Sequence, residues 1–275
     1  MSGTRAPRPI GIFDSGMGGL TVMRALAARL PNESFVYLGD TARLPYGTKS
    51  ADTVARYAVQ AAGALVRRDV KLVVVACNTA SAVALPALEA ALAPMPVVGV
   101  IEPGAEAAIA AAGGGPIAVI GTEGTVKGGA YVRAIHARAP KAEVVQQACP
   151  LFVPLAEEGL IDGEIAERVA DHYLAPLFSQ SNPAALVLGC THFPVLAPML
   201  ASVIAGYGQK LALVDSAETT AIAVTNLLAE SGLARADESP PTHTFLATDA
   251  PDRFARVGEI FLGRKPEQVE PVDLQ

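Results

Sequence analysis

Short runs of apolar, β-branched residues recur along this chain and alternate with longer Ala-rich stretches. The runs fall at residues 10–13, 35–38, 72–75, 97–100, 117–120, 143–145, 186–188 and 211–214. They are continuous rather than alternating, which suits strands covered on both faces. The stretches between them, such as 21–29, 51–67, 81–91, 165–177 and 219–229, have helical composition. Strands that alternate with helices imply right-handed crossovers and mainly parallel sheets, so the pattern predicts an α/β fold.

The pattern also repeats itself. Ile10-Gly11-Ile12-Phe13 runs into Asp14-Ser15-Gly16, and Ile117-Ala118-Val119-Ile120 runs into Gly121-Thr122-Glu123-Gly124. Later in each half, Val73-Val74-Val75-Ala76 ends at Cys77-Asn78-Thr79, and Leu186-Val187-Leu188-Gly189 ends at Cys190-Thr191-His192. Two pseudo-symmetric α/β lobes, each a mainly parallel sheet flanked by helices with the active site between them, would produce this. Pro94, Pro96 and Pro103 cluster near the expected boundary at 98–103. A further strand at 242–247 precedes a helix opened by Asp249-Ala250-Pro251 and stopped by Gly263. Pattern alone does not assign this tail to either lobe.

Composition narrows the class. The chain has 275 residues, of which 51% are hydrophobic and 17% charged, so it can bury a large core and does not read as disordered. The formal net charge is -6, with no basic stripe of the kind nucleic acid requires. The first nine residues carry positive charge but no apolar segment of signal-peptide length follows. The most apolar stretch, 82–98, is interrupted by Glu89, Pro86, Pro94 and Pro96 and does not make a membrane span. The expectation is a cytoplasmic protein with neither nucleic-acid nor membrane partners.

Three cysteines, Cys77, Cys149 and Cys190, form no disulfide framework and no C-x-x-C motif. A lone cysteine is more often a small buried hydrophobe than a catalyst. Cys149 fits that bland reading, since a proline follows it and no polar partner is near in sequence. Cys77 and Cys190 differ, because each ends a buried strand, where ligands bind in open α/β sheets. Asn78, Thr79 and Thr191 follow them, and backbone N–H groups at such ends hold carboxylates.

A thiol on each side of one substrate suits inversion of a stereocentre by proton transfer, since a thiol ionises at ~8.5 and serves as acid or base. Thiols alone are insufficient. A turnover near ~10 s⁻¹ still leaves a barrier of about 16 kcal/mol. Acid–base catalysis supplies only about 10²–10⁴-fold, so donors such as Ser15, Asn78, Thr79 and Thr191 must stabilise charge on the substrate carboxylate. Asp14 could orient the Cys77 proton, or only cap a helix. His192 could serve Cys190 in the same way. The loop at 38–47, ending in Pro45-Tyr46-Gly47, reads as a polar βα connection.

The ordered strings G-I-F-D-S-G-M-G-G-L-T-V from Gly11, L-G-D-T-A-R-L-P-Y-G, A-C-N-T-A, C-P-L-F-V-P-L-A-E-E-G and L-G-C-T-H-F-P together resemble the glutamate racemases of the aspartate/glutamate racemase superfamily. The match spans nearly the whole chain. The resemblance implies interconversion of L- and D-glutamate for peptidoglycan, and hence cell-wall and cell-shape maintenance, without metal, nucleotide or pyridoxal phosphate. It implies catalysis by Cys77 and Cys190, and substrate binding by Asp14, Ser15, Tyr46, Gly47, Asn78, Thr79, Thr191 and His192. Asp14, Asp40, Glu158 and His192 are implied as catalytic helpers. It also implies an inserted second lobe, giving 8–98 plus 212–275 as the first and 99–211 as the second. Family members include dimers, so a homodimer is open. One departure is Gly128, where Ser or Asn is expected. An aspartate racemase and a two-lobed binding protein without chemistry are the rival readings, since one methylene is worth only about 1–3 kcal/mol in a pocket.

Overall fold

The computed structural model describes residues 7–236 and 239–274. Most of the N-terminal stretch considered above as a possible leader lies outside the described residues. The first eight strands are β1 (Ile10–Asp14), β2 (Phe35–Gly39), β3 (Leu72–Val75), β4 (Val97–Gly99), β5 (Ile117–Gly121), β6 (Val144–Ala148), β7 (Ala185–Gly189) and β8 (Ala212–Asp215). Two more, β9 (His243–Ala247) and β10 (Val269–Pro271), follow in the tail. They form a six-stranded sheet in the order β10-β9-β2-β1-β3-β4 and a four-stranded sheet in the order β6-β5-β7-β8. All neighbours run parallel.

The duplication expected from sequence appears as matching strand order. β2-β1-β3-β4 and β6-β5-β7-β8 have the same connectivity. The central strands β1, β3, β5 and β7 are buried at every residue, which is why they read as unbroken apolar runs. The edge strand β6 is only half-buried and carries Gln146 and Gln147. That polar pair cut the sequence reading short at 145.

Two differences from the expected plan have physical causes. The tail was expected to return to the first lobe at residue 212. Instead β8 pairs with β7 from Ala185↔Ala212 to Leu188↔Asp215, where it covers an edge that β7 would otherwise expose. The crossing comes just after it, in the helix Ser216–Ser231, whose Ala217, Ala221, Val224 and Leu228 enter the core beneath β1 and β2. The helix expected at 81–91 is two helices, Asn78–Val83 and Leu85–Leu92. Pro86 lacks an N–H, and it stands in the first turn of the second helix, where none is needed.

The same proline logic hid the helix Ile101–Ala112. Pro103 lies in its first turn, where the missing N–H costs nothing, yet in sequence it looks like a linker. The tail helix Pro251–Leu262 ends as expected at Gly263, which takes φ +80°.

Candidate active site

The carboxyl ends of β1, β2 and β3 in one sheet, and of β5, β6 and β7 in the other, bring their loops to one cavity. Ser15, Pro45, Tyr46, Gly47, Cys77 and Asn78 line it from the six-stranded side, with Thr79 beside them. Thr122, Val153, Cys190, Thr191 and His192 line it from the four-stranded side. The cavity measures about 40 Å³.

Cys77 caps the helix Asn78–Val83. Its Sγ accepts from Ala80 N–H at 3.5 Å and donates to Ser15 Oγ at 3.6 Å. A helix N-terminus favours a thiolate, but burial dominates, and with the negative charge of Asp14 it pushes this thiol up to about 12. Cys77 therefore holds its proton at neutral pH.

Cys190 has a different neighbour. His192 Nδ1 lies 3.8 Å from Cys190 Sγ, and His192 Nε2 lies 3.1 Å from Glu157 Oε1. Burial alone would strip the imidazole of its proton. The hydrogen bonds to Cys190 and Glu157 outweigh that and raise it to about 10. Glu157 is in turn held below the usual carboxylate range, because His192 and Arg253 overcome its burial. One thiol thus faces a protonated imidazole and the other faces a buried acid.

Two buried polar atoms in this region have no protein partner. Asn78 gives its Oδ1 to Tyr131 O–H at 2.8 Å, which leaves Nδ2 unpaired. Asp14 gives Oδ2 to Gly16 N–H at 2.9 Å, which leaves Oδ1 unpaired. Burial pushes the Asp14 carboxyl up, against the pull of His192 and the nearby backbone N–H groups. An unpaired buried polar group costs about 1–3 kcal/mol, and of these two residues Asn78 lines the cavity while Asp14 lies behind it, fully buried.

The remaining residues singled out from sequence fall as follows. Thr79 Oγ1 lies 3.1 Å from Thr122 Oγ1, so their hydroxyls meet across the two sheets. Thr191 offers its carbonyl to Thr21 Oγ1 at 2.9 Å. Gly47 packs so closely on Thr122 that a Cβ would lie 2.9 Å from Thr122 Cβ. Asp40 is fully buried but does not line the cavity. It accepts from Tyr46 O–H, from Thr248 Oγ1 at 2.9 Å and from Arg43 Nε at 2.8 Å, so it reaches the site only through Tyr46. Cys149 is buried, donates to Gln147 O at 3.7 Å and does not line the cavity.

Glu158 requires correction. It is exposed, and its neighbour Glu157 is the acid that turns inward to His192. Successive residues of a helix point about 100° apart, so of two adjacent acids at the end of Phe152–Glu157 only one can face the site. Gly128 also stays out of the cavity. It faces a groove of about 270 Å³ between the halves, beside Lys49 and Lys127.

Sequence reasoning missed Thr122, Val153, Glu157 and Tyr131. Thr122 was legible, because the duplication that matches Asp14-Ser15 to Gly121-Thr122 makes it the counterpart of Ser15. Tyr131 carried no local signal, since it reaches Asn78 from the opposite half of the molecule.

A thiol from each sheet at one cavity is the arrangement expected of a racemase, and the chain belongs to the Asp/Glu/Hydantoin racemase family, whose profile matches residues 10–225. Within that family it stands among the glutamate racemases. It is 51% identical over 268 residues to the glutamate racemase of Geobacter metallireducens, covering 98% of this chain and 97% of that one. The glutamate racemase of Francisella tularensis in complex with D-glutamate superposes with a TM-score of 0.90 at 39% identity, covering 98% of each chain. That of Thermus thermophilus in complex with β-chloro-D-alanine gives 0.85 at 44% identity, covering 98% and 99%.

Proposed function

We propose that Cys77 and Cys190 interconvert L- and D-glutamate by proton transfer across this cavity, in the cytoplasm, providing D-glutamate for peptidoglycan. One observation carries the assignment of roles: two strand-end thiols from opposite sheets line one cavity, together with Asn78, whose buried amide N–H has no protein partner. The α-carboxylate would take the Asn78 amide with Ser15, Thr79 and Thr191, and the ammonium would take Asp14.

In each direction one sulfur acts as thiolate and removes the Cα proton. The electron pair of the C–H bond passes toward the carboxylate, whose hydrogen bonds strengthen as charge develops. The other thiol then delivers its proton to the opposite face. Cys77, which keeps its proton on its own, suits the donor's part. Cys190 exchanges its proton with His192, whose charge Glu157 balances. Asp40 acts by fixing Tyr46. The scheme calls for no cofactor.

A cavity of about 40 Å³ holds roughly three water molecules, which is less than glutamate needs. Admission of substrate therefore requires the two sheets, which we take as the two lobes, to part and close again.

The test is direct. Incubated with L-glutamate in D₂O, the protein should erase optical rotation while deuterium appears at Cα. Racemisation without exchange would refute the two-thiol scheme, and activity on aspartate alone would refute the substrate.

A further inference from the structure

His192 is held from behind by two side chains of one helix that belongs to the other sheet. Arg253, in Pro251–Leu262, places Nη2 2.8 Å from Glu157 Oε2, while Glu157 Oε1 faces His192 Nε2. Phe261, two turns further along, packs edge-on against the imidazole with ring centroids 4.9 Å apart. The same helix is anchored in the six-stranded half by Phe254 and Val257, which join the core beneath β1 and β2. Glu157, His192 and Cys190 all belong to the four-stranded half. The ion pair therefore spans the cleft that has to open for substrate.

We propose that Arg253 is a positioning residue for the reaction: from the first half of the molecule it fixes Glu157, and through Glu157 the ring of His192, in line with Cys190 Sγ. The inference deepens the two-cysteine reading and rests on it. A carboxylate with only His192 as partner can rotate about its last bond. With its second oxygen taken by a guanidinium, it presents the first oxygen to His192 in one orientation. At Cys77 the direct hydrogen bonds, to Ser15 and from Ala80, come from its own half. Closure of the cleft thus completes the proton-transfer geometry at Cys190.

The charged and titratable groups around the imidazole are Cys190, Glu157 and, across the cleft, Asp14. Glu157 itself faces His192 and Arg253. Removing Arg253 takes away a cation that holds Glu157 ionised, so Glu157 protonates at higher pH and releases His192 there.

The experiment compares Arg253→Ala and Arg253→Lys with the wild-type enzyme. It measures the pH profile of kcat/KM together with a carboxyl ¹³C titration of Glu157. Arg253 is 40% exposed, so the effect is screened. Arg253→Ala should lower kcat/KM about tenfold at neutral pH, the scale of one charge-assisted hydrogen bond. It should also move the acid limb and the Glu157 titration upward together. Arg253→Lys, which keeps the charge, should restore both limbs most of the way. A loss uniform across pH that lysine does not recover would mark Arg253 as merely structural and overturn the inference. So would a Glu157 titration that moves while the kinetic limb stays. Failure of the wild-type protein to racemise glutamate would overturn the two-cysteine reading and this inference with it; an active wild type with an indifferent Arg253→Ala overturns this inference alone.

Discussion

Gly18 offers a test of how finely the two halves must meet. It lies in the loop between β1 and the helix Leu20–Arg29, on the six-stranded side, yet it abuts the four-stranded side. A Cβ at this position would stand 2.4 Å from His192 Nδ1, 2.5 Å from His192 Cε1 and 2.5 Å from Thr191 Oγ1. Ordinary contact begins near 3.4 Å, so Gly18→Ala has to displace His192, or hold the halves apart, by roughly 1 Å. The ring cannot retreat, because Phe261 and Glu157 back it. A misplacement of about 1 Å costs roughly 10²-fold in rate, whereas overpacking of this kind costs about 1–3 kcal/mol of stability. The expected outcome is a folded protein with a modestly lowered Tm and a kcat/KM down about a hundredfold, followed by circular dichroism of glutamate. Gly128→Ala is the control. Its Cβ would meet Val83 Cγ1 at 3.7 Å and Ala82 Cβ at 3.8 Å, which is normal packing in the groove. A Gly18→Ala enzyme with wild-type kcat/KM would refute the idea that this contact sets the geometry at Cys190.

Other outcomes follow from the same site. Cys77→Ala and Cys190→Ala should each abolish racemisation measured by optical rotation, whereas Cys149→Ala, outside the cavity, should retain it; equal loss from Cys149→Ala would contradict its assignment. Glu157→Gln should lower kcat/KM about 10- to 100-fold, as expected for a lost hydrogen bond to a charged group, while Glu158→Gln stays near wild type; the reverse order would show that the wrong acid has been placed against His192. Stability should fall with rising alkalinity. His192 holds its proton up to about 10 in the folded protein against about 6.5 for an ordinary imidazole, so its contribution is complete below about 6.5 and is lost as pH climbs toward 10. Thermal melts across that window should slope downward, and His192→Gln should flatten the slope; an unchanged slope would mean that another group carries it.

Much of this was legible in the sequence. The central strands could be read because burial on both faces leaves them no polar residues, and Cys77 and Cys190 stood out because each ends such a strand. What escaped depended on partners distant along the chain. Ala212–Asp215 looked like the start of a returning tail because local pattern does not say which sheet a strand joins. Glu157 and Glu158 are identical in local sequence terms, and only the angle at which the helix Phe152–Glu157 docks decides which one points inward. Tyr131 and Arg253 have no sequence signature at all, because their roles arise from apposition of the two halves. Pro103 misled because proline marks helix starts as readily as linkers, and Pro86 starts a second helix inside a stretch that reads as one.

The near-twofold arrangement of the strands is not matched by the groups that serve the two sulfurs. L- and D-glutamate in achiral water have the same free energy, so the equilibrium favours neither hand. Whatever unevenness the protein builds into its two faces, kcat/KM must therefore be the same in both directions. The difference between a thiol tended within one half and a thiol tended across the cleft can surface only as kcat and KM rising or falling together. An enzyme built from two unlike sides of one fold is thus free to bind one hand tightly and turn it over slowly, and to treat the mirror image the opposite way, without altering the mixture it makes.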